Sequence, residues 1–211
     1  MPENPTLRVA QSYDEIAEKY ATWGGPEPRG AKLEYLNQAK QRISPGSRVL
    51  DLGCGTGAQV TRHLAEVATM VGVDVSKRSL SIAARAVPRA HFVCADMASL
   101  SFAPASFHGV VAFFSLIHVP RERHAEILHA IRTWLKPGGF LIVTMAAGAG
   151  VLSSDEDRFL GVPMYWSGWD AVTNRNLVEA SGLAIESVRD HTEVEDGVEV
   201  THRWIVARLA G

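Results

Sequence analysis

The run Arg48-Val49-Leu50-Asp51-Leu52-Gly53-Cys54-Gly55-Thr56-Gly57 constrains this chain more than any other stretch. It reads as a buried strand that breaks into a glycine loop and then enters a helix. Glycine lacks a Cβ and tolerates positive φ, so such a loop lets backbone N–H groups approach a bound nucleotide. The N-terminus of the next helix, with its positive dipole end, suits a carboxylate or phosphate. A nucleotide-like ligand is therefore expected at the end of this strand.

Strands and helices alternate through the rest of the chain. Apolar runs at 70–75, 91–96, 109–114 and 140–145 predict four further strands. Ser76 caps a helix that runs to about Ala86. A long helix over 121–135 stops at Lys136-Pro137-Gly138-Gly139. Upstream, Tyr13, Ile16, Ala17 and Tyr20 recur at helical spacing within 12–21, and a second helix follows over Gly30–Arg42. Ser167-Gly168-Trp169-Asp170 resembles a capping box opening a helix that ends near Ser181-Gly182. Segments 184–194 and 201–209, joined through Asp196-Gly197, read as an antiparallel hairpin on a sheet edge. Central strands apolar on both faces imply helices on both sides. The expected fold class is α/β, a doubly wound, Rossmann-like, mostly parallel sheet.

A chain of 211 residues favours one domain. With 46% hydrophobic and 21% charged residues it reads as globular and soluble. A net charge of −2 gives no broad footprint for nucleic acid. Cys54 and Cys94 form no CxxC pair and are expected as loop filler and core, in a reduced, cytoplasmic setting. The N-terminus lacks the basic and apolar stretches of a secretory signal, and no run approaches a membrane span. No HExxH or clustered Asp/His pattern suggests a metal. A monomer or homodimer acting on a small-molecule acceptor, with neither nucleic acid nor membrane as partner, is the expectation.

Gly53-x-Gly55-x-x-Ala58 also satisfies a dinucleotide fingerprint, and Asp74 lies about 20 residues on, where a ribose-binding acid belongs. NAD is thus a competing ligand. Asp51 inside the strand separates the two readings: its carboxylate suits an amine and would repel a pyrophosphate. Asp96-Met97 at the third strand's end could accept from an adenine amine while the thioether packs on the ring.

Together with Lys136-Pro137-Gly138-Gly139 and the closing hairpin, these residues resemble the class I S-adenosylmethionine-dependent methyltransferase family, over roughly Tyr13 to Leu209. The resemblance implies a seven-stranded sheet with one antiparallel strand. It implies S-adenosyl-L-methionine as cofactor and S-adenosyl-L-homocysteine as product. Gly53, Gly55 and Gly57 would approach the methionine part, and Asp51 its amino group. Asp74 would bind the ribose hydroxyls, with Val75 beside the adenine. Asp96 and Met97 would recognise the adenine, and Ser115 would face the methionine end through its backbone. Tyr13 and Tyr20 match the Tyr-Asp-x-Ile-Ala-x-x-Tyr opening of members with an N-terminal helical lid, here 1–45, and Tyr20 is the one expected at the cofactor.

His118, directly after the fourth strand, is the candidate base or a cofactor-positioning residue, with Tyr165 a second candidate. The segment 148–169 is the least family-like and the expected acceptor site, with Met164, Tyr165, Trp166 and Trp169 joined by Tyr13, Trp23 and His118 as substrate contacts. Trp134 and Trp204 are assigned to the core, Arg121-Glu122-Arg123 to a solvated helix start, and His191 and His202 to the surface or edge. The expected activity is methyl transfer to an oxygen, nitrogen or carbon of a small metabolite, such as an aromatic natural product. The alternatives are an NAD-dependent oxidoreductase, for which no Tyr-x-x-x-Lys pair or second domain is seen, and a non-catalytic cofactor-binding partner protein.

Overall fold

A computed structural model describes residues 4–23, 25–152, 158–195 and 198–211. Seven strands share one sheet: β1 (Arg48–Leu52), β2 (Thr69–Asp74), β3 (His91–Cys94), β4 (Phe107–Ala112), β5 (Leu135–Ala146), β6 (Ala184–Glu195) and β7 (Val198–Arg208). Their order is β6-β7-β5-β4-β1-β2-β3. β1 to β5 are parallel, and β7 runs antiparallel to both β5 and β6. The strand order reverses at β1, which pairs with both β2 and β4. Crevices beyond the carboxyl ends at such a reversal are where open α/β sheets bind ligands.

Successive residues of a strand face opposite sides of the sheet, so each interior strand feeds two cores. Leu50 and Leu52 pack with Ile127, Leu128 and Ile131 of α5 (His124–Trp134) and Val178 of α6 (Ala171–Ala180). Val49, Val111 and Ile142 pack on the other side with Tyr35, Leu36 and Ala39 of α2 (Gly30–Arg42). Trp134 and Trp204 are both buried, as their sequence context suggested.

α1 covers the carboxyl edge and spans Pro5–Thr22, starting well before the expected Ser12. Asn4 accepts from the Thr6 N–H, and Pro5 opens the first turn, so the start signal precedes the apolar periodicity. Polar ties hold this helix down, those of Asp14, Ser12 and Lys19 among them. Asp14 accepts from the Ser76 hydroxyl (2.7 Å) and the Arg78 N–H (2.9 Å) at the start of α4 (Lys77–Ala86). Ser12 donates to the Pro163 carbonyl (2.6 Å), and Lys19 donates to that of Leu160 (2.8 Å).

Several expectations are corrected. Cys94 is exposed, because β3 is the sheet's edge strand and pairs only with β2. β5 begins at Leu135, at the very end of α5, and absorbs the Pro-Gly-Gly stop. There the Gly138 N–H donates to Leu209 O (3.0 Å), and the Leu209 N–H donates to Gly139 O (2.9 Å). The cap of α6 is Asp170, which accepts from the Val172 and Thr173 N–H groups, while Trp166–Gly168 is a short strand paired with Gly150–Leu152. The Asp196-Gly197 turn lies outside the described residues. No helix among the described residues is long and apolar enough to cross a membrane.

Candidate active site

Two pockets meet on the carboxyl edge at β1 and β4 and share Tyr20, Gly53, Phe113 and Phe114 in their walls. One is lined further by Asp74, Val75, Asp96, Met97 and Ser115, and the other by Asp51 and Gly57. The structure therefore brings every sequence-predicted cofactor residue to two adjoining pockets on one sheet edge, together called the cleft below.

The glycines work differently from the simple expectation. The N–H groups of Gly53 and Cys54 donate to Val73 O (2.8 and 3.0 Å), and that of Gly57 to Cys54 O (2.9 Å). The Gly55 N–H donates to Asp74 Oδ2 (2.8 Å). The donors of Gly53, Cys54 and Gly55 stitch the loop to β2, and that of Gly57 closes a turn within the loop. What the glycines supply is space. All three have positive φ, and a Cβ on Gly53 would fall 2.2 Å from Ser115 Cβ. The following helix, α3 (Val60–Leu64), has only five residues, too short for a strong dipole site. A pyrophosphate thus meets neither free loop N–H groups at these positions nor a helix end of useful length.

An amino group fits far better. Asp51 is buried at the cleft, and the Thr61 hydroxyl donates to it at 2.6 Å. Burial, with a smaller push from the Asp74 charge and against the Thr61 hydrogen bond, raises its pKa to about 7. A cation beside it would stabilise the carboxylate form. In the ligand-free protein the sign runs the other way. The folded pKa lies above the unfolded one, so stability from this group is present at low pH and lost as pH rises through about 7. Asp51→Asn should therefore melt at a higher temperature than wild type at pH 8, with the gap shrinking toward pH 5. Thermal melts across that range check this, and a constant gap would refute it.

Asp74 and Asp96 serve the loops as well as facing the cleft. Asp74 Oδ1 accepts from the Ser76 N–H (2.9 Å). Asp96 caps the short turn Met97–Ser99 through the Ala98 N–H (2.9 Å), and its other oxygen accepts from Thr6 of α1 (3.2 Å). Each carboxylate oxygen retains a lone pair for a ligand hydroxyl or amine.

A second cavity of about 920 Å³ adjoins the cleft, and Tyr13, Tyr20, Phe114 and His118 belong to both. Trp23, Phe159 and Trp166 extend its aromatic wall, with Lys32 and Glu193 among its charged groups. Lys32 donates to Gln59 (2.7 Å), and its ammonium sits 5.2 Å from the Phe114 ring centroid. His118 lies where cleft and cavity join. Its Nε2 is 2.9 Å from the Tyr13 hydroxyl, and Nδ1 is 2.8 Å from the Tyr165 carbonyl oxygen.

Not every expected acceptor contact reaches this cavity. Met164 and Tyr165 are buried with Val9 and Ile16 of α1, where they seat that helix. Trp169 donates to the Arg121 carbonyl (2.9 Å) and stacks under the Arg121 guanidinium at 4.3 Å. Arg121 is thus a clamp on the 166–169 segment, not part of a solvated helix start. His202, expected at the surface or the sheet edge, is buried on the interior strand β7, lines the cavity and meets Phe114 edge-on. Phe114 itself was missed. It follows β4 at the ligand edge, lines all three pockets and has φ +55, a conformation no glycine announces in the sequence. Among the described residues no group of His, Cys, Asp and Glu could hold a metal.

Comparison with known proteins agrees with the geometry. Residues 49–139 match a family described as "Methyltransferase domain". The chain is 30% identical over 217 residues to a demethylmenaquinone methyltransferase of Clavibacter sepedonicus, covering 97% of this chain and 82% of that one. It is 38% identical over 169 residues to the O-methyltransferase cnsE of Penicillium expansum, covering 67% of this chain and 59% of that protein. The chain spans 49–59% of the length of four such curated relatives. The crystal structure of magnesium protoporphyrin IX methyltransferase from Synechocystis PCC 6803, with bound SAH, shares the fold with a TM-score of 0.69 at 15% identity, over 98% of this chain and 100% of that one. The chain belongs to the class I S-adenosylmethionine-dependent methyltransferases.

Proposed function

We propose that this protein methylates an oxygen, nitrogen or carbon of a small aromatic metabolite, with S-adenosylmethionine as donor. The observation that carries the reading is the buried Asp51 facing a cleft whose Gly53, Cys54, Gly55 and Gly57 N–H groups are already bonded within the protein. That cleft favours an amine and disfavours a pyrophosphate. The bound donor supplies a methyl group activated by the positive charge of its sulfonium.

The chain's own residues hold and align. Asp51 takes the amino group, Asp74 the ribose hydroxyls, and Asp96 with Met97 and Val75 the adenine. Gly53, Gly55, Gly57 and Ser115 frame the methionine part, and Tyr20 closes over it. α1 is the lid that excludes water. Alignment of this kind can supply about 7–11 kcal/mol of a barrier. A cavity of about 920 Å³ sits at the upper end of ordinary ligand sites, so it suits an acceptor of several rings. Trp23 and Trp166 line its walls, and His118 lies where the cavity and the cleft join. The relatives named above, an O-methyltransferase and a demethylmenaquinone methyltransferase, support a small-molecule acceptor.

Calorimetric titration tests the donor. S-adenosylmethionine should bind and NADH should not, and tight NADH binding without S-adenosylmethionine binding would overturn the reading. Asp74→Ala removes charged hydrogen bonds worth about 1.5–3 kcal/mol, so its affinity for S-adenosylmethionine should fall about 10–100-fold. An unchanged affinity would show that the ribose is held elsewhere.

A further inference from the structure

His118 has both ring nitrogens engaged. The Tyr165 carbonyl can only accept, so Nδ1 carries the proton and Nε2 is the lone-pair nitrogen. The Tyr13 hydroxyl therefore donates to Nε2, across 2.9 Å. Burial among apolar groups keeps the imidazole neutral, with its pKa pushed down to about 4. The Tyr13 ring stands edge-on to His118 at 5.4 Å and edge-on to Tyr20 at 5.3 Å, which fixes where its hydroxyl points. Tyr13 lines both the cofactor cleft and the large cavity. The Tyr13 hydroxyl thus links the wall of that cavity to the lone pair of His118 Nε2.

We propose that Tyr13 is a catalytic residue that takes the proton of a hydroxyl-bearing aromatic acceptor, with His118 as the positioning residue that receives the tyrosine's own proton. The proposal rests on the methyl-transfer reading above and narrows its acceptor to an oxygen nucleophile. A neutral amine attacks through its lone pair and can shed its proton afterwards. A hydroxyl is a poor nucleophile until its proton is leaving, so a buried two-step relay serves oxygen chemistry.

The balance closes within the site. The acceptor oxygen bonds to the methyl carbon as the carbon–sulfur bond breaks, and that electron pair stays on sulfur. The acceptor's proton moves to Tyr13 Oη as the Tyr13 proton moves to His118 Nε2. The positive charge lost from sulfur reappears on the imidazolium, so net charge is conserved, and the Tyr165 carbonyl holds the Nδ1–H of that cation. Once product leaves, the proton passes to water through the open cavity.

The test uses the whole chain with methyl-labelled S-adenosylmethionine and three probe sets: phenols and catechols, arylamines, and 1,3-diketones. The label should appear on oxygen. Tyr13→Phe should then slow unionised phenols by about 100-fold or more and leave nitrophenols, already ionised at the assay pH, far less affected. His118→Gln should show the same split. Without any turnover, ¹⁵N NMR of the ligand-free protein should show Nδ1 protonated, and the Nε2 signal should move in Tyr13→Phe. Label only on nitrogen or carbon would overturn the relay while methyl transfer stands. So would equal slowing of ionised and unionised phenols, or an unmoved Nε2 signal. No labelled product from any probe, although S-adenosylmethionine binds, would overturn the methyl-transfer reading and the relay with it.

Discussion

Gly53→Ala should abolish measurable S-adenosylmethionine binding and lower the melting temperature by about 5–15 °C. Two separate costs combine. The added Cβ would lie 2.2 Å from Ser115 Cβ, and Ser115 cannot swing aside because its buried hydroxyl donates to Leu52 O at 2.6 Å. Overpacking of this kind costs about 1–3 kcal/mol. The residue also sits at φ +76, where a side chain adds about 1–2 kcal/mol of backbone strain. Relief of the clash would have to move the loop or Ser115, and both line the cleft. Gly46→Ala separates the two costs, because Gly46 has φ +82 and nothing within 4 Å of its would-be Cβ. It should lose a little stability and no affinity. Melting curves and calorimetric titrations of both variants decide this. Equal affinity losses would mean that the cleft is not at Gly53.

Trp204→Ala should cost about 3–5 kcal/mol, the usual range for deleting a large buried aromatic side chain. Trp204 is 1% exposed and stacks on Tyr35 at 4.3 Å with the rings 2° from parallel. It also meets Phe113 edge-on at 4.8 Å and Phe114 at 5.3 Å. For a chain of this size the loss corresponds to a drop of roughly 6–20 °C in melting temperature. Function should suffer on both sides. Phe113 and Phe114 lean on Trp204, both wall the proposed donor cleft and Phe114 also walls the large cavity, so Kd for the donor and KM for the acceptor should both rise. Trp204→Phe should recover part of the stability. A stability loss below about 1 kcal/mol would show that the neighbouring rings collapse into the gap.

Much of the site was legible because its residues are local to strand ends. Asp51, Gly53, Asp74 and Asp96 each follow a β-branched apolar run, and three parallel strands of one sheet deliver their ends to one edge. The acceptor side was less legible for equally physical reasons. The Tyr13–His118 contact joins residues 105 positions apart, with no motif to announce it. An aromatic cluster such as Met164 to Trp169 fixes neither which ring lines a cavity nor which seats a helix, since burial satisfies both. The early start of α1 is marked by Asn4-Pro5 rather than by the Tyr13-Ile16-Ala17-Tyr20 periodicity, which begins two turns further on. Phe114 occupies a left-handed conformation that its residue type disfavours, so only tertiary packing reveals it.

One helix forms a wall of both chambers. Tyr13 and Tyr20 of α1 touch the proposed donor cleft and the proposed acceptor cavity alike, and the ties at Asp14, Ser12 and Lys19 fasten α1 to the elements on either side. The free energy of seating that helix is consequently shared between two ligands. Whichever arrives first prepares the chamber of the second, and thermodynamic reciprocity makes the tightening equal in both directions. Donor and acceptor are thus expected to bind cooperatively through the helix they share, in addition to any contact between them.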